Sequence, residues 1–195
     1  MVDIVEGRLT FSFGADWQVI KYDESAWYIN QIKTTLKAMD ILARKQNDHW
    51  WIEIKDCVGH EVANRPRLSP TDPQEVDQAR AWIKAQAFDD TVKAQRKKQF
   101  IIDEVMQKLR DTLTSAVVAQ RLKNAELLPF TPPSHTNASL VVVLILTWDL
   151  ADYARLARLL QQKLNTALVP YGVNGFVVNE TCQVPGFDPT ITRAV

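Results

Sequence analysis

Asp40, Glu53 and Lys55 are the residues whose types and spacing point to chemistry. Each interrupts a segment that is otherwise largely apolar: Lys37-Ala38-Met39-Asp40-Ile41-Leu42-Ala43 and Trp50-Trp51-Ile52-Glu53-Ile54-Lys55-Asp56. Desolvating a charge is costly, so charged residues are depleted in buried strands and need a reason to be there. Side chains alternate along a strand, which puts Glu53 and Lys55 on one face and Ile52 and Ile54 on the other. The polar Lys45-Gln46-Asn47-Asp48 between the segments signals a hairpin. If Arg44 faces His49 across that loop, counting back sets Asp40 opposite Glu53, with Cβ atoms about 4.5–5.5 Å apart. A slip of one residue would turn Asp40 to the other face. Two carboxylates held so closely repel unless a cation or a proton lies between them. Mg²⁺, or Mn²⁺ in its place, suits such a pair, because a hard cation takes one or two carboxylates together with waters and phosphate oxygens. A lysine beside the pair stabilises developing charge or positions a water for attack. The plainer alternative is a cross-strand salt bridge on a solvent-facing sheet surface, worth little energetically.

Other chemistries find no support. His49, His60 and His135 have no zinc-ligand spacing with Cys57 and Cys182. The 6 glycines form no phosphate-binding loop, and no nucleophile-elbow sequence occurs. Cys57 shares the face of Glu53, but a soft thiolate suits Mg²⁺ poorly and reads as packing. Trp50 reads as core, and Trp51, on the Glu53 face, as a candidate wall of the cleft. His60 reads as a loop residue just beyond the motif strand.

The elements that must position the trio follow from periodicity. Leu9-Thr10-Phe11-Ser12-Phe13 alternates like a half-buried strand. Residues 17–30 mix aromatics with Asp23 and Glu24 and read as a short helix or turn. After the hairpin, residues 59–72 form a loop with Pro66 and Pro70. Asp72-Pro73-Gln74-Glu75 then puts a capping carboxylate before a proline at the first helical position. A longer helix is expected over residues 91–123, where Ile102, Val105, Met106, Leu109, Leu113, Ala116 and Val117 make one stripe. A proline-bearing loop covers 124–135, and residues 139–148 read as a strand buried on both faces inside a helix-covered sheet. Asp149 caps a helix that buries Tyr153, Leu156, Leu160, Leu164 and Leu168, Pro170 ends it, and residues 173–179 form a last strand.

With 195 residues, 46% of them hydrophobic, the chain is expected to fold as a single α/β domain over residues 1–195. Lys and Arg total 23, as do Asp and Glu, so any nucleic-acid contact must come from a local patch. Candidates are Lys93, Arg96, Lys97 and Lys98 with Arg65 and Arg67 in the preceding loop; the plainer reading is a solvated face. The longest apolar run, 140–146, is far short of the roughly 20 residues of a membrane helix. No membrane partner is therefore expected. Two cysteines and the lack of a signal-like start lead to the expectation of a reducing, cytoplasmic location.

Asp40 on one strand, followed on the next by Glu53-Ile54-Lys55 among apolar residues, resembles the PD-(D/E)XK nuclease superfamily. The close match covers about residues 37–56, with Met39 where the family's name has proline. Beyond it the likeness is one of element order: a helix, a three-stranded antiparallel meander, a helix and a further strand. The resemblance implies a restriction-endonuclease-like mixed central sheet flanked by helices. It implies a divalent metal, usually Mg²⁺, on Asp40 and Glu53, with the backbone carbonyl of Ile54 helping and Lys55 assisting the hydrolytic water. Many members carry a further acidic residue on the first helix, for which Glu24 is the candidate. The implied activity is hydrolysis of nucleic-acid phosphodiesters, DNA foremost, with a homodimer where two strands must be cut. The runner-up is a nuclease-like binding module without turnover, serving a DNA-processing or defence assembly.

Overall fold

Leu9, Phe11 and Phe13 are fully buried while Thr10 and Ser12 between them are half-buried, so this segment runs as a strand with one covered face. It is β2 (Leu9–Phe13) of the computed structural model, which describes residues 1–88, 91–132, 138–181 and 184–194. His135 and Cys182 lie outside the described residues. β2 pairs antiparallel with β1 (Val2–Glu6) and β8 (Thr190–Arg193), two strands the periodicity did not reveal.

A second, five-stranded sheet has the order β3 (Trp17–Lys21), β4 (Ile41–Lys45), β5 (Asp48–Asp56), β6 (Ser139–Thr147), β7 (Asn174–Val178). β3, β4 and β5 form an antiparallel meander, and β6 and β7 run parallel to β5. Between β5 and β6 the chain makes α1 (Glu61–Asn64), α2 (Gln74–Ala85) and α3 (Ile101–Leu122); α4 (Leu150–Leu168) joins β6 to β7. Among the described residues no helix is long and apolar enough to cross a membrane.

Alternation along β5 and β6 sorts the core. Trp51, Val142, Leu144 and Leu146 pack with Val105 and Leu109 of α3 and Leu160 and Leu164 of α4. Trp50, Ile52, Ile54, Val141, Val143 and Ile145 pack with Leu9, Phe11 and Phe13. β6 is thus buried on both faces, but helices cover only one of them. The expected helical flank on the other face is replaced by the three-stranded sheet, because β2 offers an apolar face that needs a cover of its own.

Other local expectations are corrected by tertiary contacts. Trp17–Lys21 is a strand rather than helix or turn, since it pairs along β4 and seats Trp17 against Trp50, Phe13 and Phe187. Pro73 itself stands at the N-cap of α2, and Asp72 pairs with Arg80 and Arg96 rather than capping. α3 starts at Ile101, not near 91, although no Gly or Pro stops it earlier. Arg96 instead donates to the carbonyls of Pro66, Ser69 and Thr71, holding its segment against the loop before α2. Val117, expected in the stripe of α3, is 64% exposed; Thr112, Ser115 and Ala119 are buried there.

The far edge of the large sheet is closed by α4. Gln161 donates to the Gly175 carbonyl and accepts from Val177 N, satisfying β7 groups that have no further strand to pair with. A Cβ on Gly175 would fall 2.5 Å from Leu168 Cδ1 and 2.9 Å from Leu164 Cδ2, both on fully buried side chains. Gly175→Ala is therefore expected to cost about 1–3 kcal/mol, as overpacked cores do. Urea unfolding of the variant checks this, and an unchanged midpoint would mean that α4 rides more loosely on β7 than described.

Candidate functional site

The hairpin register is the one that brings the carboxylates together. Arg44 faces His49 and Ile41 faces Ile52. The turn closes over Gln46 and Asn47, with Lys45 opposite Asp48 and Gln46 at φ 56°. Asp40 lies one residue before β4 begins; its N–H donates to the Ile52 carbonyl and its Oδ2 accepts from Ile54 N at 2.6 Å. The chain leading into it is pinned to α3: Met39 N donates to Thr112 Oγ1, and Lys37 N to Asp111 Oδ2. N–H and C=O of one strand residue leave the same edge, so the Ile54 carbonyl is directed to the edge where its N–H meets Asp40.

Glu53 is fully buried on the helix-facing side of β5. Lys55 Nζ lies 2.5 Å from its Oε1, on the same face as the alternation requires. The residue that completes the centre comes from α3. Lys108 Nζ sits between the two acids, 2.8 Å from Asp40 Oδ1 and 2.7 Å from Glu53 Oε1. One helical turn earlier, Glu104 receives Lys55 at 3.0 Å and also pairs with Arg67. The acids Asp40, Glu53 and Glu104 are thus matched by Lys55, Lys108 and Arg67 in a largely dehydrated cluster, not on a solvent-facing sheet surface. Unlike an exposed pair, a cluster of this kind is costly to break from one side.

The electrostatics follow from burial. Desolvation, and after it the Asp40 carboxylate, pushes the Glu53 carboxyl up to about 7 against the pull of Lys55 and Lys108. Desolvation works against the Lys108 ammonium, but Glu53 and Asp40 outweigh it and raise its pKa, so the lysine stays charged. Lys55 is likewise raised, burial being outweighed chiefly by Glu53, and Glu104 is lowered because Lys55 and Arg67 outweigh its burial.

Each residue singled out in the sequence has a place here. Asp40, Glu53, Lys55 and Ile54 come together. Glu24 does not join them: its side chain is 65% exposed and pairs with Lys21. Its neighbour Asp23 is the acid that feels Asp40. Arg67 is held by Glu104 and Asn64, at the rim of the site. Arg96 is consumed by loop carbonyls and Asp72, so it is an internal strut rather than a phosphate contact. Arg65 lies 3.9 Å from Asp152, and Lys93, Lys97 and Lys98 are exposed. Lys98 reaches toward Asn64, the residue that also holds Arg67. Trp51 is core rather than cleft wall, donating to the Phe130 carbonyl; Cys57 is buried packing, and His60 is an exposed loop residue.

Lys108, Glu104 and Asp23 were missed. Glu104 and Lys108 are four apart on a helix and so share a face, beside the buried Val105 and Leu109. A charged pair bordering an apolar stripe was the available signal, but spacing within one helix does not tell which strand it faces.

Asp23 has its own consequence. Burial first, then Asp40 and Glu6, pushes its carboxyl from 3.8 up to about 6, and its buried Oδ1 has no hydrogen-bond partner. The folded chain therefore holds this proton more tightly than the unfolded chain does, and stability falls as pH rises between these two values. Asp23→Asn is expected to gain more stability at pH 7.5 than at pH 4. Urea midpoints of both proteins at both pH values check this; an equal effect at the two would show that Asp23 does not titrate in that window.

Whether a divalent ion suits the site is a question of donors. Among the described residues no group of three or more His, Cys, Asp and Glu side chains is arranged to hold a metal. Mg²⁺ needs fewer, one or two carboxylates with the rest made up by water and substrate oxygens. Asp40 and Glu53 already converge on one cation, the Lys108 ammonium, and Glu53 Oε2 is buried with no partner. The donor set fits a small hard cation.

Comparison with protein families, with curated proteins and with solved structures finds no match.

Proposed function

We propose that this chain is a metal-dependent nuclease of the restriction-endonuclease-like class, hydrolysing nucleic-acid phosphodiesters, with DNA as the first substrate to test. The observation that carries this is the convergence of the Asp40 and Glu53 carboxylates on one cation position, with Lys55 beside them. The element order supports the class: an antiparallel meander, β3 to β5, leads through α3 to the parallel strand β6. A departure is that the described residues before the meander form the β1–β2 hairpin and no helix.

In this reading Asp40, Glu53 and the Ile54 carbonyl hold the Mg²⁺ or Mn²⁺. Such an ion, when bound, supplies Lewis-acid polarisation of a phosphoryl oxygen and a more acidic water. Ile54 N–H fixes the orientation of Asp40. Lys55 presents its charge to the developing oxyanion, and Glu104, clamped by Arg67, positions Lys55. The exposed Lys93, Lys97 and Lys98 supply a local basic surface on a chain of zero formal charge.

The experiment is incubation of the purified chain with labelled single- and double-stranded DNA and RNA, in Mg²⁺, Mn²⁺ or chelator. Metal-dependent cleavage supports the reading, and nicking against double-strand cutting tests the expected homodimer. A second reading is favoured by one observation: Lys108 stands where the metal would. The chain is then a nuclease-like binding module without turnover, in a DNA-processing or defence assembly. Nucleic-acid binding without cleavage in any metal would select it.

A further inference from the structure

We propose that Lys108 is the resident cation of this site: its ammonium and a divalent ion compete for one position between Asp40 and Glu53, so Lys108 sets the metal affinity. This rests on the metal-site reading above. The geometry is that of a shared position, because one Nζ touches an oxygen of each acid, at 2.8 and 2.7 Å. Asp40 Oδ2 already accepts from Ile54 N, which leaves Oδ1 as the oxygen that faces Glu53 and the ammonium. A metal bridging Asp40 Oδ1 and Glu53 Oε1 takes the place of that ammonium.

The surroundings make the exchange feasible. Lys108 is a flexible four-carbon side chain on a helix, and that side chain is 16% exposed. Its departure does not strip Glu53 of positive charge, because Lys55 stays in contact and is itself anchored on Glu104.

The ammonium closes the position to a metal in all but a fraction of the molecules, and the apparent metal affinity is reduced by that fraction. Calorimetric titration of Mn²⁺ into the wild-type chain and into Lys108→Met, with folding checked by circular dichroism, reads it directly. Tightening by about tenfold or more in the variant is expected, as for a position open in about a tenth of the chains or fewer. Binding to the variant alone also supports competition and would make the wild-type chain a module whose metal site Lys108 keeps shut. Equal or weaker binding to a folded variant, with the wild type binding, overturns the competition while leaving the metal site standing. Absence of binding to both folded proteins removes the metal site and the competition with it. Should Lys108→Met not fold, amine labelling of the wild type decides. With the site filled by Mn²⁺, Lys108 is expected to become more reactive, and unchanged labelling overturns the proposal.

Discussion

Glu53→Ala is expected to abolish divalent-metal binding and to lower stability by about 3–5 kcal/mol, the cost of leaving buried charges without their partner. Glu53 is fully buried and shares one oxygen between Lys55 and Lys108. Truncation removes the anion that both lysines face and leaves Lys108 only Asp40. The size of the loss separates this cluster from a surface ion pair, whose removal would cost about 0–1 kcal/mol. Calorimetry with Mn²⁺ and urea unfolding on wild type and variant measure the two effects independently. Glu53→Gln keeps the volume and removes the charge, so it should lose the metal as completely while avoiding the cavity. Metal binding that survives in either variant would place the ion elsewhere. A stability change within about 0.5 kcal/mol would mean that the lysines readily find other partners.

Lys55→Met is the second large effect, and it falls on rate rather than on binding. Lys55 touches Glu53 but is not a metal donor, so Mn²⁺ affinity should change little. A positioned charge that stabilises a developing oxyanion contributes about 10²–10³ in rate. Single-turnover cleavage by Lys55→Met should therefore fall by about that factor. Stability should suffer less than in Glu53→Ala, because Glu53 keeps Lys108 and Glu104 keeps Arg67. Retained cleavage would assign Lys55 to holding Glu53 alone. A parallel loss of metal affinity would mean that Lys55 orients the carboxylate rather than acting on the reacting atoms. Glu104→Gln, which frees Lys55 from its second anchor, should give a smaller loss of the same kind.

What the sequence by itself determined about this protein is local in its physics. The apolar segments at 37–43 and 50–56, the polar turn between them and the run at 139–148 were enough to place β4, β5 and β6. The stripe of α3 and the capped start of α4 were legible for the same reason. The register that faces Asp40 to Glu53 followed only if Arg44 meets His49 across the turn; with apolar residues on both faces of β4 and β5, the pattern alone does not exclude a slip, and the pairing of the folded hairpin decides it. Only the tertiary structure decided which cation lies between the acids. Lys108 is 68 residues beyond Asp40, and a helix declares which of its faces is apolar, not which strand end that face meets. The same limit hid Asp23 behind Glu24: a three-residue turn leaves no period from which to read which acid points inward. It hid the second sheet as well, since β1 and β8 are short, largely exposed strands specified by their pairing with β2 rather than by a pattern of their own. And it made Arg96 a strut rather than a phosphate contact, because loop carbonyls that compete for an arginine carry no sequence signature. Charges close in space but far apart in the chain are set by packing, and packing is what a one-dimensional period cannot encode.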